Sequence, residues 1–459
     1  MKRHLYQILA GAFKRSGGLR TEQYIIFAFA GVILTGSLLL CLPFAVREGE
    51  QISFLTALFT ATSATCVTGL VLVDTYLHWT AFGQVVIICL IQIGGLGFMT
   101  VASVFFFMLH RKIGLKQRMI IAQGFSLNDM HGVVNLVRGV LKGTFLFEFT
   151  GALILTLRFA PQFGVWRAIR WGVFHSVSAF CNAGFDILGY LKPNSSLGVF
   201  ATDPVVNITI MALIVIGGLG FYVWADLSAN RKRRPLSLHT KLVLTITAIL
   251  ILGGAGLFAL FEWNNPGTFG HFKTGGKILA SFFQSVTCRT AGFATVDEGK
   301  LTDASKAISV LLMLIGGSSG STAGGIKTVT FGVLILAVFA SARGKSRVTV
   351  YGRTIADDQI RQAMTIMVLM VGLAFGGAVA ISITNGFPFL DCLFETASAL
   401  GTVGLTAGIT PLIGPGSRIL LIIFMFFGRV GIMTFSMSFL LGSRVDERYH
   451  YAEGKVLIG

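Results

Sequence analysis

Apolar residues in this chain gather into long blocks separated by short polar connections, a pattern with no soluble counterpart. A helix needs about 20 consecutive apolar residues to cross the ~30 Å hydrocarbon layer. Eight blocks meet that length, at residues 22–45, 81–109, 134–159, 203–227, 239–262, 305–341, 361–385 and 416–442. Removing them leaves nothing long enough for a soluble domain, so the pattern predicts an all-α integral membrane protein with eight transmembrane spans.

The connections hold a second pattern. It reads LFTATSATCVTGL (58–70), VFHSVSAFCNAGF (173–185), FFQSVTCRTAGF (282–293) and LFETASALGTVGL (393–405). Aligned on Gly69, Gly184, Gly292 and Gly404, every copy has an aromatic ten residues earlier: Phe59, Phe174, Phe282 and Phe394. A large apolar residue follows each glycine: Leu70, Phe185, Phe293 and Leu405. A landmark lies downstream, as IGGLGF (93–98), IGGLGF (216–221), IGGSSG (315–320) and FGRVGI (427–432). Motif glycine and landmark are 25, 33, 24 and 24 residues apart (69→94, 184→217, 292→316, 404→428), the outlier arising from an insertion within 191–204. Such periodicity sets architecture before any local reading.

The stretches before the motif glycines, Phe54–Thr65, Val165–Phe180, Gly276–Thr287 and Pro388–Leu400, give only three or four turns at ~1.5 Å per residue, too few to span. Helices of this kind either lie on the membrane surface or enter and return. Irregular backbone at membrane depth is tolerated only where protein buries it or water lines it. Four copies in register favour the re-entrant arrangement. The expected fold is four pseudo-symmetric helix–pore-helix–helix repeats around a central pore. Their boundaries are 22–118, 119–234, 235–353 and 354–442, with an N-terminal segment 1–21 and a C-terminal tail 443–459.

Composition agrees: 54% of the 459 residues are hydrophobic, 12% are charged, and the mean hydropathy is +0.77. The net charge of +17 is concentrated at Lys2–Arg20, His110–Arg118, Arg231–Arg234, Arg343–Arg353 and Arg444–Lys455. These are the two ends and alternate connections, so they share one side and place both termini in the cytoplasm by the positive-inside pattern. The charge orients the chain; it does not mark a nucleic-acid surface. No small-residue cleavage pattern follows the first apolar run, so a signal peptide is not expected. Six cysteines (Cys41, Cys66, Cys89, Cys181, Cys288, Cys392) form no CxxC pair and suggest neither disulfides nor zinc.

A pore for cations needs oxygen ligands to replace lost water. Backbone carbonyls supply them without a buried full charge. Loops that present consecutive carbonyls need unusual dihedrals, which glycine reaches without steric cost. The small neighbours Val67, Thr68, Asn182, Ala183, Thr290, Ala291, Thr402 and Val403 let four such loops approach one another. Asp74, Asp186 and Asp297 follow three of the motifs and either focus cations at the outer mouth or cap turns. Glu395, inside the fourth short helix, is expected to be paired and structural, and His175 to pack within the second. The eight histidines (residues 4, 78, 110, 131, 175, 239, 271 and 450) are scattered, which disfavours a membrane enzyme.

Two units depart from the pattern. In the third, Gly316, Gly317, Ser318, Ser319, Gly320, Ser321, Thr322, Ala323, Gly324 and Gly325 run unbroken before Ile326 and Lys327. Each glycine costs a helix about 1 kcal/mol against alanine, so this span is expected to break into an intramembrane loop over 316–328. Tight helix packing through small residues is the alternative, but it needs them on one face only. In the fourth unit Arg429 replaces the second landmark glycine. A lone arginine in a span costs roughly 3 kcal/mol. It should face the aqueous path or pair with polar loop atoms near Ser318–Thr322, a bond to helix carbonyls being the competing role. A P-loop would need glycine where Ser321 and Ile326 stand, so none is present.

These motifs and landmarks resemble the Trk/Ktr/HKT superfamily of potassium transporters, and the resemblance covers nearly the whole chain. Within it the chain is most similar to the membrane subunit of the bacterial Ktr system, having no extra N-terminal hairpin. The resemblance implies potassium uptake across the bacterial cytoplasmic membrane. It implies a filter of Val67–Gly69, Asn182–Gly184, Thr290–Gly292 and Thr402–Gly404, although these loops lack the Gly-Tyr-Gly ending of potassium channels. It also implies a gate made of the intramembrane loop with Lys327 and of Arg429 projecting just below the filter. A homodimer on a cytoplasmic ring of nucleotide-binding (KtrA-like) regulatory subunits is implied, with ATP or ADP on that partner and no cofactor on this chain. Docking would use the tail and the basic loops 110–118 and 231–234. Potassium is then substrate, with sodium coupling known in several members. An ion-coupled secondary transporter of another small cation is the alternative. It would show inverted repeats and paired broken helices, whereas here the repeats share one orientation and only the third is expected to break.

Overall fold

The computed structural model describes residues 21–51, 53–97, 133–230 and 235–431. The basic clusters at Lys2–Arg20, His110–Arg118, Arg231–Arg234 and Arg444–Lys455 lie outside these residues. So do the tail 443–459 and the distal parts of the predicted spans 81–109 and 416–442.

The described chain is helical, with one two-residue hairpin of β1 (Thr349–Val350) against β2 (Arg353–Thr354). The helices fall into four successive groups, each with a first helix that packs against both a short helix and a second helix. They are α1 (Thr21–Leu40), α2 (Phe54–Thr65) and α3 (Ala81–Leu96); α4 (Val133–Phe163), α5 (Val165–Phe180), α6 (Pro204–Leu219) and α7 (Phe221–Asn230). Then follow α8 (Leu238–Glu262), α9 (Thr274–Thr287), α10 (Asp303–Leu314) and α11 (Thr328–Ala342), and finally α12 (Asp357–Asn385), α13 (Phe389–Gly401) and α14 (Pro415–Val430). Local chemistry sets many of the ends. Asp203 accepts from Val205 N and Val206 N ahead of Pro204, Thr302 accepts from Ser305 N, and left-handed Gly386 closes α12.

The groups close into a ring. α3 packs on α5, α6 on α9, α10 on α13, and α14 on α2, so each second helix meets the short helix of the next group. The C-terminal halves of the short helices are buried at the centre. The long first helices instead turn apolar side chains outward, among them Phe145, Phe149 and Leu157 of α4, Ile249, Leu252 and Leu260 of α8, and Val368, Phe375 and Ile383 of α12. A soluble protein does not expose so continuous an apolar belt, and a lipid environment explains it.

Among the described residues four helices, α1, α4, α8 and α12, are long and apolar enough to cross a membrane, and α6 with α7 would make a fifth. The others are shorter because they stop at the landmarks. Sequence had placed a break in the third unit alone. In the structure α3 ends before Gly97 (φ +81°), α6 before Gly220 (φ +94°) with a 90° turn into α7, and α14 before Gly431 (φ +92°). The cause is a close approach one turn earlier. A Cβ on Gly94, Gly217 or Gly428 would overlap the carbonyl oxygen of Thr65, Phe180 or Leu400, at the end of the same group's short helix. The second helix rests its backbone there, and in the second unit the chain turns by 90° just beyond the contact.

Alanine at Gly217 or Gly428 is therefore expected to destabilise the protein by ~1–3 kcal/mol through overpacking. Alanine at Gly256, where a Cβ meets nothing within 4 Å, is expected to be neutral. Melting temperatures of the three purified variants check this.

Candidate functional site

Each short helix ends in the same device. A serine or threonine lies four residues after a fully buried or nearly buried phenylalanine: Ser63 after Phe59, Ser178 after Phe174, Thr287 after Phe283 and Ser398 after Phe394. Its carbonyl and hydroxyl fasten the outgoing loop. Ser63 O accepts from Thr68 N at 2.8 Å and Ser63 Oγ from Gly69 N at 3.0 Å; Ser398 repeats this with Val403 N at 2.8 Å and Gly404 N at 3.0 Å. Ser178 O accepts from Ala183 N at 2.7 Å, and its hydroxyl donates to Phe185 O at 2.7 Å. Thr287 O accepts from Ala291 N at 3.0 Å, and its hydroxyl donates to Phe293 O at 2.6 Å.

The third unit corrects the sequence alignment. Its core aromatic is Phe283, fully buried, and not the partly exposed Phe282 that spacing selected. The loop from hydroxyl to glycine is one residue shorter there (287→292 against 63→69, 178→184 and 398→404).

Fastened this way, the loops adopt backbone that side chains avoid. Val67, Asn182, Thr290 and Thr402 have φ of +57°, +60°, +62° and +50°, and the glycines two residues on have φ of +94°, +69°, +76° and +96°. Three of the four non-glycine residues are β-branched, a strain of about 1–3 kcal/mol apiece that persists only where surroundings enforce it. Thr68, Ala183, Ala291 and Val403 stand between.

The four glycines form a closed ring. A Cβ on Gly69 would strike Ala183 O, on Gly184 Ala291 O (2.7 Å), on Gly292 Val403 O, and on Gly404 Thr68 O. Each motif glycine thus touches the middle residue of the next loop, and the fourth returns to the first. All twelve residues Val67–Gly69, Asn182–Gly184, Thr290–Gly292 and Thr402–Gly404 come together, with the Asn182 amide 3.3 Å from the Thr290 hydroxyl. The short helices all end at this ring, and helix C-termini carry partial negative charge that favours a cation.

On one side of the ring the chain returns through polar turns. Asp74 caps the one-turn helix Thr75–His78 and accepts from Asn194 N; Asp186 accepts from Leu188 N; Asp297 accepts from Gly299 N and pairs with Lys300. All three acids cap turns. Glu395 is fully buried and accepts from Thr406 Oγ1 (2.5 Å), Ala407 N (3.0 Å) and Thr410 Oγ1 (2.5 Å), so it ties the short helix to the segment leaving the ring. His175 Nδ1 lies 2.7 Å from Trp171 O.

Sequence reasoning missed the equivalent tie in the third unit. Gln284 Nε2 donates to both oxygens of Glu298 at 2.8 Å. Burial pushes the Glu298 carboxyl up to about 8 against the pull of that amide. The signal was available: the residue after each core phenylalanine, Thr60, His175, Gln284 and Glu395, is polar and buried.

On the other side lies the segment 315–327, between α10 and α11. Gly316 N donates to Ile326 O and Ile326 N to Leu314 O, which closes the loop at its base. Ser318 N donates to Gly218 O, Thr322 N to Gly217 O, and Phe221 N to Gly320 O, so the second unit holds one flank. Ser321 Oγ donates to Ser318 O, the Ser319 carbonyl faces Gly220, and Lys327 Nζ donates to Ala323 O at 2.8 Å. Thr322 Oγ1 donates to Phe180 O. Gly324 has no room for a Cβ beside Thr402, and Gly325 (φ +65°) packs on Gly401.

Arg429 completes this layer. Its guanidinium donates to Thr322 O of the loop and to Gly94 O and Gly95 O of the first unit. It bonds loop and helix-end carbonyls, and among the described residues no carboxylate lies within 4 Å of it. Loop and arginine together touch all four units next to the ring.

A helical membrane protein whose four short helices converge on a ring of backbone has the architecture of a transporter, and the family and relatives it matches are transporters and not enzymes. Known proteins agree with that class. The profile of the TrkH family, described as cation transport protein, matches residues 20–446. The chain is 42% identical to the Ktr system potassium uptake protein B of Bacillus subtilis over 95% of its own length and 96% of that protein. It is 40% identical to the potassium/sodium uptake protein NtpJ of Enterococcus hirae over 96% and 98%. The crystal structure of the potassium transporter TrkH from Vibrio parahaemolyticus superposes with TM-score 0.70 over 94% of this chain and 86% of that one; at 17% identity this is a likeness of fold. The chain belongs to the TrkH family of cation transport proteins.

Proposed function

We propose that this chain carries potassium across the bacterial cytoplasmic membrane through a filter built from the four loops at Val67–Gly69, Asn182–Gly184, Thr290–Gly292 and Thr402–Gly404. The observation that carries the reading is the closed glycine ring, in which the carbonyl oxygens of Thr68, Ala183, Ala291 and Val403 each lie against the motif glycine of a neighbouring loop; we read these oxygens as one ligand layer. Neutral oxygens in such a layer replace the hydration shell of a monovalent cation without a buried carboxylate. Curated relatives named for potassium uptake support the choice of ion.

In this reading each group is one helix–pore-helix–helix repeat, the described helices extend to eight spans, and both termini are cytoplasmic. The segment 316–328 with Arg429 is the gate. It occupies the path beside the ring, and a guanidinium there opposes a passing cation electrostatically. The relatives belong to named Ktr systems, which supports a regulatory partner; a homodimer on a ring of nucleotide-binding subunits is the assembly proposed, with ATP or ADP acting on the ring. The potassium/sodium name of the Enterococcus relative favours a sodium-dependent variant of the same pathway.

Two measurements test the reading. Serine at Gly292 would press on Val403 O and spread the ring, so the potassium-over-sodium uptake ratio is expected to fall severalfold in potassium-transport-deficient cells. An unchanged ratio contradicts the filter. Arg429→Ala, or deletion of 318–324, is expected to raise potassium flux into liposomes without the regulatory ring, and equal or lower flux contradicts the gate.

A further inference from the structure

Arg289 stands inside the third filter motif, one residue before left-handed Thr290, and the proposed pathway gives it no task. A fixed positive charge beside a cation path opposes transport, so its placement needs a reason. Its side chain turns back into its own unit and is 8% exposed. Nη2 donates to Thr328 Oγ1 at 3.2 Å and to Thr247 Oγ1 at 3.5 Å, and Nε has no partner. Among the described residues no carboxylate lies within 4 Å of it. A buried guanidinium satisfied only by neutral hydroxyls is costly, and apolar side chains of similar volume would pack at less expense.

Its partner explains the position. Thr328 is the first residue of α11 and closes the base of the intramembrane loop twice over. Its hydroxyl donates to Gly316 O at 2.8 Å and its N–H to Gly317 O at 2.9 Å. One residue therefore joins the two ends of the loop, and Arg289 holds that residue from the filter side. Arg289 and Thr247 also line a small gap with Gly218 and Gly317, the points where the loop meets the second unit.

We propose that Arg289 is a positioning residue that latches the closed intramembrane loop to the third filter loop through Thr328. The inference rests on the reading of that loop as a gate. The latch is a charge-assisted hydrogen bond, stronger than a neutral one and broken in a single step. Displacing the loop base frees Thr328 from the guanidinium, so filter geometry and gate position are linked by one contact.

The test uses the full chain in proteoliposomes without regulatory subunits, with potassium or rubidium influx as readout. Arg289→Gln and Thr328→Val are each expected to raise influx about three- to tenfold, the scale of one charge-assisted hydrogen bond. The double variant should not exceed the larger single one, because both changes remove the same contact. A merely structural arginine would give loss of influx, not gain. Arg429→Ala is run alongside. If it raises influx while monodisperse Arg289→Gln and Thr328→Val do not, the latch is wrong and the gate stands. Unchanged influx in all three removes the gate reading and the latch with it. Where Arg289→Gln fails to assemble, Arg289→Met, which keeps the length of the side chain without its donors, takes its place, because Thr328→Val also removes the bond to Gly316 O.

Discussion

Where a Cβ would stand on Gly69, Gly184, Gly292 or Gly404, the carbonyl of the neighbouring loop already occupies the space. Four backbones can meet around one axis only when nothing projects between them, and that contact governs the rest of the structure. It demands left-handed dihedrals at Val67, Asn182, Thr290 and Thr402, which in turn demand anchors. Hydroxyls at Ser63, Ser178, Thr287 and Ser398 provide them. Short helices ending at the ring supply the hydroxyls. The second helices lie close behind only because Gly94, Gly217 and Gly428 admit the carbonyls of Thr65, Phe180 and Leu400.

The symmetry is broken in the two units that hold the loop and the arginine. The third unit replaces continuous helix by a segment whose amides and carbonyls are met by the second unit, by its own base and by Arg429. The fourth unit gives up one landmark glycine for that arginine, which reaches the carbonyls of the first unit. A membrane interior tolerates irregular backbone only when its polar groups are met by protein or water.

Much of this was legible from residues alone. Blocks of apolar residues announced a membrane protein, and the fourfold motif located the short helices to within a residue or two. Glu395 read correctly as a paired carboxylate, because a charge inside a short buried helix has few other fates. The alignment of the third motif failed because spacing was counted from the glycine. Packing instead counts from the buried phenylalanine, and a one-residue difference in a loop leaves no mark in composition. The helix ends before Gly97, Gly220 and Gly431 were missed for a related reason. The landmark glycines look alike in sequence, and only the carbonyls packed on Gly94, Gly217 and Gly428 show why a helix ends one turn later. The part played by Arg289 depends on Thr247 and Thr328, tens of residues away in sequence.

The most direct measurement is the position of bound ion. Rubidium-soaked crystals of the protein in potassium-free buffer, with anomalous scattering, would locate the cation against the backbone. The account predicts density on the axis, surrounded by the carbonyl oxygens of Thr68, Ala183, Ala291 and Val403. Rubidium bound only among Asp74, Asp186 and Asp297, with the ring empty under the same conditions, would contradict it.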